Sequence, residues 1–135
     1  MAYPVVCRYK RGKKAVKGVT RDFASGKTEF HVTVTEEGGK TKVVDIDCSK
    51  LKAVFFVKDL EGNKKYKEKK TFDQPTAQSK IKVKFHDGEE IVGTTLGYSE
   101  GRPGFFVLPA DPNSNNQRVY ALASAVEEVI FEPNL

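Results

Sequence analysis

The residues with the greatest potential for chemistry are basic side chains concentrated near the start of the chain. Residues 1–27 hold a single acid, Asp22, and a large share of the 23 Lys and Arg residues. These cations are Arg8, Lys10, Arg11, Lys13, Lys14, Lys17, Arg21 and Lys27. Cations interleaved with an aromatic ring, here Tyr9, can bind phosphate groups and stack on bases. The segment predicts a phosphate-binding surface, although a solvated basic face would explain the same charges. Its candidate ligand-binding residues are Arg8, Arg11, Lys13, Lys14 and Arg21.

A second candidate site lies in the loop over residues 109–117, which reads Pro-Ala-Asp-Pro-Asn-Ser-Asn-Asn-Gln. Asp, Asn and Ser side chains bond to nearby backbone groups, so such a segment can form a rigid structural turn. Loops on a rigid scaffold are also where binding residues concentrate. The two interpretations are therefore a structural turn and a ligand site. The residues of that ligand site would be Arg102, Asp111, Asn115, Asn116 and Arg118.

Nothing in the sequence indicates catalysis. The histidines, His31 and His86, fall in a predicted strand and a predicted hairpin turn. No glycine-rich phosphate loop, HExxH motif or nucleophile elbow is present. Cys7 and Cys48 match no metal-binding or redox spacing, and a packing role explains both. We therefore expect a protein that is not an enzyme, with no catalytic residue, no metal site and no cofactor.

The composition indicates a globular protein outside the membrane. Of the 135 residues, 39% are hydrophobic and 30% are charged, a balance typical of folded domains. No apolar run approaches the ~18 residues of a membrane helix, and the first residues lack the pattern of a signal peptide. Cysteines without a disulfide framework suit a reducing compartment. We expect a cytoplasmic location and no membrane partner.

An internal repeat organises the chain. When the sequence is laid over itself so that Gly18 falls on Gly93, other glycines also meet glycines and large apolar residues meet large apolar residues. The pairs matched at this one offset include Phe23 and Tyr98, Gly26 and Gly101, Phe30 and Phe105, Val32 and Val107, Val44 and Val119, and Phe56 and Phe131. Repeats of this kind indicate two copies of one structural unit. The predicted units are a first half over residues 1–58, a charged linker over 59–80 and a second half over 81–135.

Each half is predicted to contain five short strands. Residues 81–85 alternate apolar and polar side chains, as a strand with one buried face does, and Asp87-Gly88 is typical of a tight hairpin. A glycine within a strand, such as Gly93, often marks the bend that a small barrel needs. The fold class is therefore all-β, with two pseudo-symmetric SH3-like or Sm-like barrels packed as one compact unit. The lysine-rich linker is expected to cross the surface with one helical turn.

The second half resembles an Sm-like domain. The resemblance rests on the alternating strand at 81–85, Asp87-Gly88, Gly93, Tyr98, the apolar strand at 105–108 and the closing apolar strand at 129–131. It implies the fold without the RNA-binding function. Sm-like proteins hold uridine with an Asn-bearing loop and an Arg/Lys-Gly turn. Here those places hold Glu100-Gly101-Arg102-Pro103 and Ala123-Ser124-Ala125.

Nearly the whole chain is also similar to a bacterial family of unknown function. The stretches that carry this likeness are residues 17–23, 51–59 and 102–112, and the likeness implies a bacterial source with no assigned activity. A third resemblance is to PilZ domains, which bind cyclic di-GMP on a β-barrel. It rests on Arg8 and Arg11 preceding the turn at residues 22–26, with a spacing that departs from the PilZ pattern.

Two functional hypotheses follow. In the first, the protein is a non-catalytic binding or regulatory module in bacterial signalling, with a protein partner that the sequence does not identify. In the second, it binds nucleic acid or a cyclic dinucleotide through its basic first half and the lysines of residues 64–70.

Overall fold

A computed structural model describes residues 1–62, 65–72 and 78–132. These residues form ten strands and two short 3₁₀ turns, so the all-β prediction is confirmed. In chain order the elements are β1 (Tyr3–Tyr9), β2 (Val16–Thr20), β3 (Glu29–Thr35), β4 (Thr41–Asp47), a 3₁₀ turn (Cys48–Lys50), β5 (Leu51–Val57), β6 (Ser79–Phe85), β7 (Glu90–Thr95), β8 (Gly104–Pro109), β9 (Asn116–Leu122), a second 3₁₀ turn (Ala123–Ala125) and β10 (Val126–Phe131). No helix in the described ranges has the length and apolar character needed to cross a membrane.

The ten strands form one antiparallel sheet that does not close on itself. Its strand order is β10-β6-β7-β8-β9-β5-β1-β2-β3-β4. Strands β1–β5 and strands β6–β10 have the same internal order, and the two sets join where β9 pairs with β5. Every residue of β5 is buried, as expected of a strand with packed side chains on both faces. The junction of the two halves is therefore in the middle of the sheet.

Equivalent glycines allow a close approach of neighbouring strands in each half. A Cβ atom on Gly18 in β2 would lie 2.2 Å from the carbonyl oxygen of Thr33. A Cβ atom on Gly93 in β7 would lie 2.0 Å from the carbonyl oxygen of Leu108. Only a residue without a side chain permits this contact. The offset that places Gly18 on Gly93 also places Thr33 on Leu108, so the close approach occurs at equivalent positions of the two halves.

Two apolar clusters form the core, and each contains residues from both halves. The cluster around Val83 and Val107 in the second half includes Phe55 and Val57 from β5. The cluster around Val32 in the first half includes Tyr120 and Leu122 from β9. Full burial of a side chain of this size stabilises the fold by roughly 1.5–3 kcal/mol. Each half thus completes the core of the other.

The linker departs from the expectation in two respects. Its described part, residues 59–62 and 65–72, contains no helical turn. Strand β6 begins at Ser79, so the last two residues assigned to the linker belong to the sheet. Residues 63–64 and 73–77 of the linker lie outside the described residues, and so do 133–135 at the end of the second half.

Candidate functional site

The hairpin between β1 and β2 presents the cations that the sequence singled out. Gly12, with a φ of +57°, provides the left-handed backbone conformation of the turn. The Lys10 amide donates a hydrogen bond to the Lys50 carbonyl over 3.0 Å. This bond fastens the hairpin to the 3₁₀ turn that precedes β5, and it brings Lys50 beside residues that are much earlier in the chain.

The hairpin and the 3₁₀ turn enclose a basic groove of about 380 Å³. The residues that line the basic groove are Tyr9, Lys10, Arg11, Lys13, Ser49 and Lys50. Four of these six residues are cations, and none is an acid. The Lys13 ammonium lies 5.3 Å from the centroid of the Tyr9 ring, a distance that favours a cation–π contact. The groove is therefore suited to an anion.

A second cavity of about 290 Å³ adjoins the basic groove, because Lys10 and Arg11 line both. Its other walls come mainly from the second half and include His86 and Ser124. Lys52 also reaches this cavity, but its ammonium is 2.7 Å from the Asp87 carboxylate and is also paired with Glu89. Asp87 also lines the second cavity, which therefore holds an acid as well as the cations Lys10 and Arg11 of the first half.

Asp47 caps the 3₁₀ turn beside the basic groove, and its carboxylate is already engaged. Its Oδ1 accepts hydrogen bonds from the Ser49 amide (3.0 Å) and the Ser49 hydroxyl (2.7 Å). These bonds, followed by the proximity of Lys50 and Lys13, hold the pKa of Asp47 below its usual value. Burial raises the pKa of Tyr9, so its ring is uncharged at neutral pH. Asp47 anchors the 3₁₀ turn and leaves the lysines that line the groove available.

The basic candidate residues of the first half do not all lie in one site. Arg11 and Lys13 line the basic groove. Lys14 lies in the same hairpin, exposed and outside the lining, and Arg21 is exposed just after β2. Arg8 lies outside the groove lining, and its guanidinium is 6.0 Å from the centroid of the Phe55 ring. It shares a separate cavity with Tyr9 and Lys13, whose walls also hold acids.

Arg8 shares a different cavity with two candidates from the 109–117 loop. This junction cavity of about 260 Å³ is lined by Arg8, Asn115 and Asn116. Its walls also hold Lys17 and three glutamates, Glu61, Glu68 and Glu89. Because acids and bases are both present, the junction cavity is less suited to an anion than the basic groove is.

The 109–117 loop holds the linker against the sheet. Asp111 is 3% exposed, and its carboxylate accepts hydrogen bonds from the Lys69 amide (2.8 Å), the Tyr66 hydroxyl and the Asn113 amide (2.9 Å). These bonds, with that from Lys69 first, lower the pKa of Asp111. Asn115 accepts from the Asp59 amide at 3.0 Å and donates to the Asp59 carbonyl at 2.8 Å. The geometry supports the structural interpretation of this loop, and Asn116 begins β9.

The remaining two candidates lie apart from the others. The Arg118 guanidinium is stacked over three rings, at 4.2 Å from Phe56, 4.7 Å from Phe106 and 5.2 Å from Tyr3. Arg102 is exposed in the connection between β7 and β8. Neither lines the basic groove or the junction cavity.

Sequence reasoning missed Lys50 and Ser49 as part of the site. They are distant from the hairpin in sequence, and only the pairing of Tyr9 with Leu51 brings them beside it. It also missed the surroundings of His31, whose Nδ1 is 2.6 Å from Asp22 and whose Nε2 is 3.3 Å from Asp45. Within residues 1–62, 65–72 and 78–132, no cluster of His, Cys, Asp and Glu could hold a metal ion.

The fold and the groove define an all-β chain with a cationic surface. The chain belongs to a family of unknown function, DUF6982, which matches residues 1–132. No curated protein and no solved structure matches the chain.

Proposed function

We propose that the protein is a non-catalytic binding module whose basic groove binds a phosphate-bearing ligand, single-stranded nucleic acid in particular. The observation that supports this is the groove itself, in which four cations and Tyr9 meet without an acid. Cations contribute affinity for phosphates, and an aromatic ring offers a surface for a base. The adjoining second cavity, which shares Lys10 and Arg11 with the groove, offers a path along which a strand could continue.

A cyclic dinucleotide is the second candidate ligand, because Arg11 lies in the groove. The turn that would complete a PilZ-like site is used differently, however. Phe23 packs edge-on against Phe30, Phe56 and Tyr120, and the Gly26 amide donates to the Tyr120 hydroxyl over 3.2 Å. Because this turn contributes to packing at the junction, the geometry favours an extended nucleic-acid strand.

The proposal also covers the architecture of the two halves and the cellular role of the protein. We infer that the two halves are pseudo-symmetric barrels of the SH3 or Sm type that arose by duplication, because their strand orders are equal. A bacterial source, a cytoplasmic location and a role as a regulatory module with a protein partner are further parts of it. The absence of a recognisable catalytic motif in the sequence supports a binding role.

An NMR titration tests the proposed function. The ¹H–¹⁵N spectrum is recorded at low salt during separate additions of single-stranded RNA, single-stranded DNA and cyclic di-GMP. We expect shifts that begin at residues 9–13 and 49–50 with the nucleic acids. No shift at these positions with any of the three ligands would overturn the proposal, and shifts with cyclic di-GMP alone would reassign the ligand.

Charge-neutral variants separate the groove from the net charge. We expect R11Q/K13Q/K50Q to lose most of the affinity for a labelled oligonucleotide. A matched control, K40Q/K42Q/K58Q, removes the same charge at exposed positions outside the groove lining and should retain most of it. The slope of log K against log salt should fall by about 0.7 for each phosphate contact removed. Equal losses in the two triple variants would contradict a defined site.

A further inference from the structure

The junction between the two halves has a counterpart at the two edges of the sheet. At the junction, β5 pairs with β9 from Ala53 opposite Ala121 to Val57 opposite Asn116. The repeat offset places β5 on β10 and β9 on β4. Strands β10 and β4 are the two edges of the sheet. Among the described residues, no strand pairs with the outer side of β4 or of β10. The two edges of the sheet are therefore the equivalents of the two strands that pair at the junction.

Aromatic packing shows what the junction covers. In the first half, Phe23 packs edge-on against Phe30 at 5.1 Å and against Phe56 at 5.3 Å. In the second half the equivalent Tyr98 packs the same way, against Phe105 at 4.9 Å and Phe131 at 5.4 Å.

The equivalent rings differ in exposure. Phe56 is 2% exposed because Phe106 and Arg118 of the second half cover it, whereas Phe131 is 36% exposed. The second half thus presents an aromatic surface that the first half has buried.

We propose that a second copy of this chain covers that surface, with β10 of one copy pairing antiparallel with β4 of the next. The register of the junction, carried over by the repeat offset, places Ile130 opposite Val44 and Phe131 opposite Val43. Val43 and Phe131 are both large apolar side chains exposed in the single chain, at 64% and 36%. Exposed strand edges are templates for such pairing. The contact is head-to-tail, so it forms a ring if the rotation closes and a filament if it does not.

Charges at the other end of the two strands keep this association weak. Asp45 and Asp47 on β4 would approach Glu127 and Glu128 on β10, and all four side chains are exposed. Like charges opposite each other destabilise strand pairing. The interface therefore combines an apolar end that attracts and an acidic end that repels, and its strength should depend on the acidic end.

Sedimentation velocity of the full chain over a range of concentrations tests this proposal. We expect the weight-average mass of the unmodified chain to rise with concentration and that of V43E to stay at one chain. Leu96 is an apolar side chain 82% exposed in the connection after β7, so L96E is the matched control and should associate like the unmodified chain. E128Q, which removes one exposed acid from the acidic end, should associate at lower concentration.

Mixing two blocked variants tests the head-to-tail arrangement. V43E blocks the β4 edge and F131E blocks the β10 edge, so each alone should stay monomeric while their mixture forms a 1:1 dimer. Circular dichroism checks that each variant is folded, and V43E alone decides the question if F131E fails to fold. The proposal is overturned if the unmodified chain and E128Q both stay monomeric up to the solubility limit. It is equally overturned if V43E associates as the unmodified chain does.

Discussion

His31 has two carboxylate neighbours, Asp22 and Asp45, although neither is adjacent to it in the sequence. Its ring bonds to Asp22, and the Asp22 Oδ1 also accepts from the His31 amide over 2.9 Å. The hydrogen bond that the His31 ring donates to Asp22 is the main cause that raises the pKa of His31, and the charge of Asp45 contributes less. The same contact lowers the pKa of Asp22 to about 2. The pair links the connection after β2 to β3 in a pH-dependent manner.

The sign of this dependence follows from the two shifts. The stabilisation due to His31 should be complete below its unfolded pKa of ~6.5 and should be lost as pH rises through the higher folded pKa. The stabilisation due to Asp22 should be lost as pH falls toward about 2. An NMR titration of the His31 ring protons should give a midpoint above the usual value. D22N should lower that midpoint more than D45N does, and equal effects would show that hydrogen bonding to Asp22 is not the main cause.

At the scale of the strands, the close approach of two neighbouring strands in each half depends on a glycine without space for a side chain. A methyl group on Gly18 or Gly93 would collide with a backbone carbonyl of the next strand, which cannot move away as a flexible side chain could. We expect G18A and G93A each to reduce the free energy of unfolding by about 1–3 kcal/mol or more, the usual range for overpacking. Urea denaturation measures this change. Gly97 has no atom within 4 Å of its hypothetical Cβ, so G97A should differ little from the unmodified protein.

The strands were accessible to sequence reasoning because their signals are local. Alternation at residues 81–85, the Asp87-Gly88 turn and the internal repeat predicted the strands of the second half and their counterparts in the first. The central place of β5 is visible in hindsight, since the apolar run over residues 53–57 is typical of a strand buried on both faces. The pairing of β5 with β9 and the place of Lys50 beside Tyr9 depend on long-range contacts. Such contacts produce no local sequence pattern from which they could be predicted.

At the scale of the whole molecule, Lys52 connects the two halves by charge. Its side chain is 9% exposed, lies 4.9 Å from the Phe85 ring centroid and pairs with Asp87 and Glu89, which are about half exposed. The hydrogen bond from Lys52 is the first cause that lowers the pKa of Asp87. Lys52 is buried and the two acids are not. Mutation of the lysine and mutation of the acids should therefore change the free energy of unfolding by different amounts. Removal of a buried charge is tolerated better than removal of the partners that compensate it.

We therefore expect K52M, which keeps the packing and leaves two hydrated carboxylates, to change the free energy of unfolding by less than about 1 kcal/mol. D87N/E89Q leaves the ammonium buried without a counter-charge and should cost more, about 2 kcal/mol after allowance for the exposure of the acids. The triple variant K52M/D87N/E89Q should regain most of that loss, because no buried charge is left uncompensated. Urea denaturation followed by circular dichroism measures all three. Because the halves share both core clusters, each curve should show one transition. A loss of free energy of unfolding in K52M as large as that in the double variant would contradict this account of the junction.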